Sequence, residues 1–415
     1  MSVIQGIVGI LALCAIAYGL SENRRAISWK VPVMGVALQL IIAVLLLKVP
    51  LFQMVFLGLN SVVLAIQEAT EQGTSLVFGY IGGAPLPFKE PFPGAAWVFA
   101  FRGLPLILVM SAISALLFYW NILPAIVRGF SWMLRKTMGI GGAVGVSTAA
   151  NIFVGMVEAP LFIRPYLKSL NRSELFIVMS CGLATVAGTV MVLYAAILGT
   201  FMDNVLGHIL TASFISAPAA IMVARVMIPG NGTATEADEL VPPQEADSAM
   251  EALVISTGSG IKLILNIVAM LIVVVALVHL ANMVLGVLPD VAGEPLTIQL
   301  IMGYIFAPFA WFMGLEWREA MIGGKLLGTR LVLTEFVAYL DMAQLGADDL
   351  AERSRIIMLY GLCGFASLPS LGILIAGMGA MVPERRAEIV SLGFRAMIAA
   401  TIATCMTGSV VGLIY

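Results

Sequence analysis

The sequence predicts an all-α membrane protein with about eight transmembrane helices, two re-entrant helical hairpins and interfacial helices, arranged as an inverted repeat. Three observations support this prediction: a low charge content, long apolar runs, and two stretches that resemble each other. Of the 415 residues, 60% are hydrophobic and 11% are charged, whereas soluble domains carry about 25% charged residues. Apolar runs of roughly 20 residues can cross the hydrocarbon layer as helices. Because these runs are continuous rather than alternating, a β-barrel is not expected.

Composition also narrows the classes of function. The net charge is −2, so the chain lacks the basic surplus that binds nucleic acid, and we expect no nucleic-acid partner. The sequence has none of the motifs of a metalloprotease, a serine hydrolase or a P-loop nucleotide-binding protein. We therefore expect a protein that is not an enzyme and that uses an ion gradient rather than ATP. The cysteines lie in apolar runs without paired spacing and are interpreted as core residues: Cys14, Cys181, Cys363 and Cys405.

Hydropathy places the spans along the chain. The stretches 51–80 and 122–136 mix charged with apolar residues, which favours helices lying in the membrane interface. A re-entrant hairpin is predicted at 139–167, because this apolar segment is rich in Gly and Ala and has basic residues on both flanks. A second is predicted in the central part of 297–345, where apolar and charged residues mix. Such backbone is tolerated only where protein or water covers it. Full spans are predicted at about 3–20, 31–49, 95–120, 175–200, 208–227, 254–288, 356–381 and 387–415.

Short loops rich in Lys and Arg indicate the cytoplasmic side. Such loops contain Arg24 with Arg25, the region 128–172, and Arg385 with Arg386. This pattern puts both termini outside the cytoplasm, although Arg353 and Arg355 then fall outside as well. The chain divides into 1–138 (scaffold-type spans and interfacial helices), 139–228 (first transport repeat), 229–253 (acidic cytoplasmic linker), 254–296 (long scaffold span) and 297–415 (second transport repeat).

The two similar stretches each combine a Glu-bearing hairpin with an interrupted span. In the first, the segment 157–160 precedes a span that contains 181–188; in the second, 334–337 precedes a span that contains 363–370. Gly, a hydroxyl residue or Pro interrupts each span. By the predicted topology the first hairpin opens to the cytoplasm and the second to the outside, so the repeats are inverted. Inverted repeats with interrupted helices indicate a transporter with a site near the membrane midplane.

The carboxylates at the two repeats are the leading candidates for chemistry. Glu158 and Glu335 occupy matching places, and a carboxyl at membrane depth costs roughly 2.5–3.5 kcal/mol. We expect both to face one watery cavity, where they accept hydrogen bonds from solute hydroxyls or couple to a cation. Neutral oxygens at broken helices can bind Na⁺, and the candidates are Asn151, Thr185, Ser367 and Ser370. A membrane enzyme that uses the carboxylate pair and a channel are the more remote alternatives.

At these residues the sequence resembles the concentrative nucleoside transporter family, of the bacterial nucleoside permease type. The similarity runs in one order over about residues 95–380. The matching motifs are Phe99-Ala100-Phe101-Arg102-Gly103-Leu104-Pro105, Asn151-Ile152-Phe153-Val154, Gly155-x-x-Glu158-Ala159-Pro160, Gly303-Tyr304-Ile305-Phe306, Glu335-Phe336-Val337-Ala338-Tyr339, and Gly364-Phe365-Ala366 with Ser370.

The resemblance implies a homotrimer in the lipid of a bacterial inner (plasma) membrane, with elevator-like movement and cation-driven import of nucleosides. By position, Glu335 and Ser370 would hold ribose hydroxyls, Phe365 would line the same pocket, and Glu158 would lie near the base. The implied Na⁺ ligands are Asn151, the Val154 carbonyl, Thr185 and the Val186 carbonyl. The presence of the Asn favours Na⁺, and proton coupling through either Glu is the alternative.

Several residues depart from the family pattern at the expected substrate site. The family usually has Gln-Thr before the first Glu, where this chain has Met156 and Val157. The usual Asn before the second Glu is Thr334, and the usual ribose-binding Asn is Ser367. Each unpaired polar partner can cost about 1–3 kcal/mol. The standard pyrimidine specificity of the family therefore does not carry over, and the substrate is expected to be a nucleoside or a closely related sugar-bearing solute.

Overall fold

The chain folds into helices, as the continuous apolar runs predict. A computed structural model describes residues 2–90, 96–199, 202, 204–230, 235, 246–291, 293, 295–346 and 348–415. Within these residues there are 18 α-helices. Short 3-10 turns connect some of them, at Arg24–Ala26, Gly79–Gly82, Arg164–Tyr166 and Pro383–Arg385.

The N-terminal region contains six helices: α1 (Ser2–Gly19), α2 (Lys30–Lys48), α3 (Pro50–Phe78), α4 (Phe99–Arg102), α5 (Pro105–Tyr119) and α6 (Ile122–Met138). The span predicted at 95–120 starts later, at Phe99, and is divided before Pro105. Proline lacks the N–H that would continue the preceding helix, so it begins a new one. The helix predicted at 122–136 extends to Met138, where Gly139 adopts the left-handed conformation that commonly ends a helix.

The first repeat contains α7 (Gly142–Asn151), α8 (Glu158–Leu161), α9 (Arg172–Ala184), α10 (Gly188–Leu198) and α11 (Val205–Met227). The hairpin segment is broken between α7 and α8, at residues 152–157. The following span is broken between α9 and α10, where Thr185 and Ala187 have extended backbone. The first interruption contains Gly155, and the second begins at Thr185 and ends before Gly188.

A long helix and the second repeat complete the chain: α12 (Ala249–Leu285), α13 (Ile298–Met313), α14 (Trp317–Val332), α15 (Glu335–Gln344), α16 (Glu352–Leu362), α17 (Leu368–Met381) and α18 (Arg386–Ile414). α12 begins inside the predicted linker 229–253, because the Ser248 hydroxyl accepts a hydrogen bond from the Glu251 N–H and caps the helix (3.1 Å). The linker residues 231–234 and 236–245 lie outside the described part of the chain.

The number of spans agrees with the prediction, but their identities differ in part. Seven described helices are long and apolar enough to cross a membrane, or up to eight if the bent pair α13 and α14 counts as one span. The helix at 50–82, predicted to be interfacial, meets this criterion. The predicted spans 3–20 and 356–381 do not, since the first is a short helix and the second is broken between α16 and α17. The interfacial and re-entrant placements stay predictions.

Packing separates an interior group of helices from a peripheral one. α11 packs against α2, α9 and α18, and α18 also packs against α1 and α16. Most of α11 and α18 is buried, whereas little of α12 is. α12 contacts mainly α5 and leaves most of its apolar surface open. The structure therefore separates buried helices from one long peripheral helix, and the division into scaffold and transport units stays a prediction.

The element order repeats between the two halves. α6 to α11 and α13 to α18 each consist of one helix, a broken helix pair, a second broken pair and a long helix. The break of the second hairpin lies at Leu333 and Thr334, directly before Glu335. The two Glu residues therefore begin corresponding helices, α8 and α15.

One surface cluster ties several of these helices together. Glu22, in the loop after α1, pairs with Arg172 at the start of α9 (2.9 Å) and with Arg395 of α18. The hydrogen bond and charge of Arg172, with the charge of Arg395, lower the pKa of Glu22 below its usual range. Such a group stabilises the fold above its unfolded-state pKa of about 4.3, and the contribution is lost as pH falls through the lower folded-state pKa.

We expect Glu22→Gln to lower the free energy of unfolding by about 0.5–1 kcal/mol at pH 7, because the cluster is partly exposed and screened by solvent. Thermal unfolding in detergent measures this, and the difference from wild type should shrink below about pH 4. Glu384→Gln is the control, since its pair with Lys168 is largely exposed. Equal effects of the two variants would contradict a special role for the Glu22 cluster.

Candidate functional site

The interrupted spans of the two repeats meet at their breaks. A methyl group on Gly364, in the second break, would lie 3.0 Å from the Ala184 carbonyl oxygen at the end of α9. The Gly188 N–H at the start of α10 donates to the Phe153 carbonyl in the hairpin break (3.2 Å). Small residues permit these close approaches. The breaks therefore bring backbone polar groups and short side chains of both repeats together inside the protein.

A cavity of about 150 Å³ lies beside these breaks. Glu158 and Glu335, which the sequence places at matching positions, both line it. So do most of the other residues predicted to contact the substrate: Met156, Val157, Thr334, Phe365 and Ser370. One face of α12 also contributes to the lining. The structure thus gathers residues from both repeats and from the peripheral helix around a single space.

Glu335 is a buried acceptor in this cavity. Thr334 caps α15 by accepting a hydrogen bond from the Val337 N–H (3.3 Å), which places Glu335 in the first turn, where a negative charge is favourable. Its Oε1 accepts a hydrogen bond from the Tyr194 hydroxyl (2.5 Å). Its Oε2 is buried without a hydrogen-bond partner among the described residues. Because an unpaired buried acceptor is costly, this oxygen is free to accept from a hydroxyl of a bound solute.

Glu158 lies where the first cavity joins a second one. It begins α8, and its carboxylate packs so closely on Gly155 that a β-carbon there would lie 2.0 Å from Oε2. The second cavity, of about 250 Å³, shares Gly155, Glu158, Thr189 and Leu263 with the first and continues between α5 and α12. Glu158 is therefore exposed to a connected space rather than enclosed.

Ser367 differs from the other candidate residues because it does not line the cavity. It is fully buried and caps α17, accepting a hydrogen bond from the Ser370 N–H (3.4 Å). The two hydroxyls are also bonded to each other (2.9 Å). Ser367 thus positions Ser370, which does line the cavity, and a direct contact between Ser367 and a solute is not favoured.

Asn151 and Thr185 come together as the sequence predicts for a cation site. The Asn151 amide donates to the Thr185 hydroxyl oxygen and to the Cys181 carbonyl (3.0 Å). Its own Oδ1 is buried and has no hydrogen-bond partner among the described residues. Val154 and Val186 lie in the adjoining breaks, and the Val186 N–H donates to the Ser213 hydroxyl (3.4 Å). A buried carbonyl oxygen without a donor, next to a hydroxyl and to broken helices, fits a Na⁺ ligand set.

Arg330 is a fully buried cation near this site. Its Nη1 donates to the Gly361 carbonyl at the end of α16 and to the Thr404 hydroxyl of α18, both at 2.6 Å. Its Nε and Nη2 have no partners in the described part of the chain. Glu335 follows five positions further along the sequence, just past the hairpin break. Arg330 therefore joins the second hairpin to two neighbouring helices directly before this carboxylate.

Sequence reasoning missed four residues at or near the cavity: Thr189, Tyr194, Asn266 and Arg330. Asn266 carried a signal, because it is a carboxamide inside a long apolar helix. Arg330 carried one as a basic residue close to a membrane Glu. Thr189 and Tyr194 had no distinguishing pattern, since hydroxyl residues in spans commonly bond within their own helix or anchor at interfaces. His208 forms a hydrogen bond with the Tyr360 hydroxyl (2.9 Å), and neither residue lines the cavity.

Fold and site together define a multi-span membrane transporter, because interrupted helices of two repeats line one largely apolar cavity that holds two carboxylates. Comparison with known families makes the assignment specific. Three family models match the chain: "Na+ dependent nucleoside transporter N-terminus" over residues 8–81, "Nucleoside recognition" over 100–201, and "Na+ dependent nucleoside transporter C-terminus" over 208–412.

Individual relatives and solved structures support the same family. The nucleoside permease NupC of Helicobacter pylori is 35% identical over 98% of this chain and 96% of its own length. Sodium/nucleoside cotransporter 1 of Mus musculus is 30% identical over 98% of this chain and 63% of its own length. The structure of CNTnw in an inward-facing substrate-bound state matches with a TM-score of 0.90 and 32% identity, covering 100% of this chain and 98% of that one. A CNTnw variant in an outward-facing state matches with a TM-score of 0.89, at 31% identity over 100% and 98% of the two chains. The chain belongs to the concentrative nucleoside transporter family.

Proposed function

We propose that this protein imports nucleosides, or a closely related sugar-bearing solute, together with Na⁺ across a bacterial inner membrane. The observation that carries the proposal is the cavity shared by Glu158 and Glu335. A carboxylate that is buried in a span, with one oxygen unpaired, matches the hydroxyl pairs of a ribose. A purely structural carboxylate would have both oxygens satisfied.

Each lining residue then has a role in binding. The Glu335 carboxylate accepts hydrogen bonds from ribose hydroxyls, and Ser370, held by Ser367, contributes its hydroxyl to the same sugar. Phe365 packs against the solute beside them. Glu158 lies towards the base, at the junction of the two cavities. Met156 and Val157 replace polar groups with apolar ones at that junction, so base recognition depends on other side chains.

Na⁺ is the coupling ion in this proposal. Asn151 Oδ1, the Thr185 hydroxyl and the carbonyls of Val154 and Val186 would hold it. The ion supplies positive charge beside the breaks, which stabilises the bound arrangement of the hairpin. The relatives named as sodium/nucleoside cotransporters agree with this choice.

Movement and assembly follow the family pattern. Solved relatives face inward or outward, which supports an elevator-type motion of the two repeats against α12 and its neighbours. The apolar surface of α12 is largely open in one copy, which supports a homotrimer surrounded by lipid. Both termini are proposed to lie outside the cytoplasm.

Coupling can be tested in proteoliposomes. We expect an inward Na⁺ gradient to drive accumulation of a nucleoside, and replacement of Na⁺ by choline at constant pH to reduce uptake at least tenfold. Uptake driven in choline by a pH gradient alone would support proton coupling instead. Uptake that equilibrates but never concentrates the solute would indicate a channel.

The Na⁺ ligands are tested by Thr185→Val, which keeps the shape of the side chain and removes its oxygen. We expect the Na⁺ concentration for half-maximal uptake to rise about tenfold, because one ligand is lost. Thr401→Val is the matched control, since among the described residues the hydroxyl of this buried threonine bonds only to the Met397 carbonyl of its own helix (2.9 Å). Equal Na⁺ dependence in the two variants would argue against a cation at Thr185.

A further inference from the structure

One face of α12 reaches the substrate cavity. Leu263, Asn266, Ile267, Met270 and Leu271 all line it, and their spacing of three and four residues puts them on one side of the helix. Four of these side chains are apolar. Asn266 therefore presents a polar group of the scaffold helix to a cavity whose other polar groups belong to the two repeats.

The amide of Asn266 is available for binding. The side chain is exposed and has no hydrogen-bond partner among the described residues. By contrast, Asn282 on the same helix donates to the Gln299 side chain (3.0 Å) and accepts from the Ile298 N–H (2.9 Å). A carboxamide in an apolar helix is unfavourable unless it finds a partner. The position of Asn266 on the cavity makes a solute the natural partner.

The other polar side chains of the cavity are less suited to a nucleobase. Thr189 and Thr334 each offer a single hydroxyl rather than an acceptor and a donor side by side. Glu158 and Glu335 only accept hydrogen bonds when ionised. The Tyr194 hydroxyl already donates to Glu335, and Ser370 is bonded to Ser367. Among the cavity-lining residues that the structure describes, Asn266 is the carboxamide. Its oxygen accepts and its nitrogen donates, so it complements an edge that carries an amino group next to a ring nitrogen.

We infer that Asn266 hydrogen-bonds the exocyclic amino edge of the nucleobase and so determines which nucleosides bind. The inference rests on the proposed function, since it assigns the base to the cavity that holds the sugar. It also gives the scaffold helix a direct contact with the solute. Met156 and Val157 give the first hairpin no amide or hydroxyl side chain beside the base. Selectivity for the base therefore depends on α12.

Pairs of nucleosides that differ only in the amino group test this assignment. Adenosine is compared with purine riboside, and cytidine with pyrimidin-2-one riboside. Dissociation constants are measured by calorimetry on the purified full-length protein in saturating Na⁺, for wild type and Asn266→Leu. For whichever pair wild type binds, we expect Asn266→Leu to weaken the amino-bearing member about tenfold and its partner less than threefold.

The ratio of the two dissociation constants separates recognition from structural damage. A variant that merely disturbs the fold weakens both members equally, and this outcome, or no change in either, overturns the inference. An unchanged ratio of the two dissociation constants is also expected if Asn266 instead pairs with a second copy of the chain. Asn266→Ala provides a smaller side chain should the Leu variant fail to fold, and Asn282→Leu should leave the ratio unchanged. If wild type binds neither pair in Na⁺, the proposed function fails rather than the role of Asn266.

Discussion

Glu335→Gln is expected to weaken nucleoside binding by about 30- to 100-fold while the protein remains folded. The carboxylate is buried, one oxygen is held by Tyr194, and the other has no donor among the described residues. Hydrogen bonds to a charged acceptor are worth about 1.5–3 kcal/mol, and neutral ones about 0.5–1.5 kcal/mol. Two ribose hydroxyls that lose the charged acceptor therefore cost about 2–3 kcal/mol in total. Calorimetry in saturating Na⁺ measures this loss.

A matched substitution distinguishes this effect from a general loss of charge. Glu316→Gln makes the same chemical change at the opposite end of α14, at an exposed residue whose side chain makes no capping hydrogen bond, and it should leave binding within about twofold. 2′-Deoxynucleosides supply a second test, since they lack one of the hydroxyls. If Glu335→Gln weakens ribose and deoxyribose nucleosides by the same factor, the carboxylate does not bind the 2′ hydroxyl.

The sequence was sufficient for most of the architecture. Low charge and apolar runs of membrane-spanning length predicted the helical class, and the pairing of Glu158 with Glu335 predicted the repeat. The helix breaks at 185–187 and 363–367 were visible as Gly, Pro and hydroxyl residues within apolar runs. These features are local or periodic, which is why one sequence reveals them.

Other features depend on tertiary contacts and could not be predicted. The helix α3 illustrates one such case, because Glu68 and Glu71 suggested an interfacial position while its length and hydropathy suffice for a span. Ser367 illustrates another. From the sequence this serine could either cap a helix or bind the solute, and its hydrogen bonds to Ser370 show that it caps α17. Tyr194 is a third case. Its importance lies in the hydrogen bond to Glu335, which is 141 positions away in the sequence.

Arg330→Met is expected to produce the second large effect. Arg330 is fully buried, and its guanidinium donates to the Gly361 carbonyl and the Thr404 hydroxyl. Hydrogen bonds that involve a charged group are worth about 1.5–3 kcal/mol. The variant loses both bonds, which hold the end of α14 directly before the hairpin break and Glu335. We expect both a lower unfolding temperature and at least a tenfold loss of nucleoside affinity, measured by thermal unfolding and calorimetry.

The affinity loss is what identifies Arg330 as a positioning residue for Glu335 rather than a structural residue alone. Arg330→Lys keeps the positive charge but not the planar donor group, so it should recover a large part of the affinity and less of the stability. Arg225→Met provides the opposite contrast, because Arg225 donates to the Met138 carbonyl (2.5 Å) at the end of α6 and does not line the cavity. It should lower stability without changing affinity. If Arg330→Met lowers stability but leaves nucleoside affinity unchanged, as expected for Arg225→Met, the guanidinium does not position Glu335.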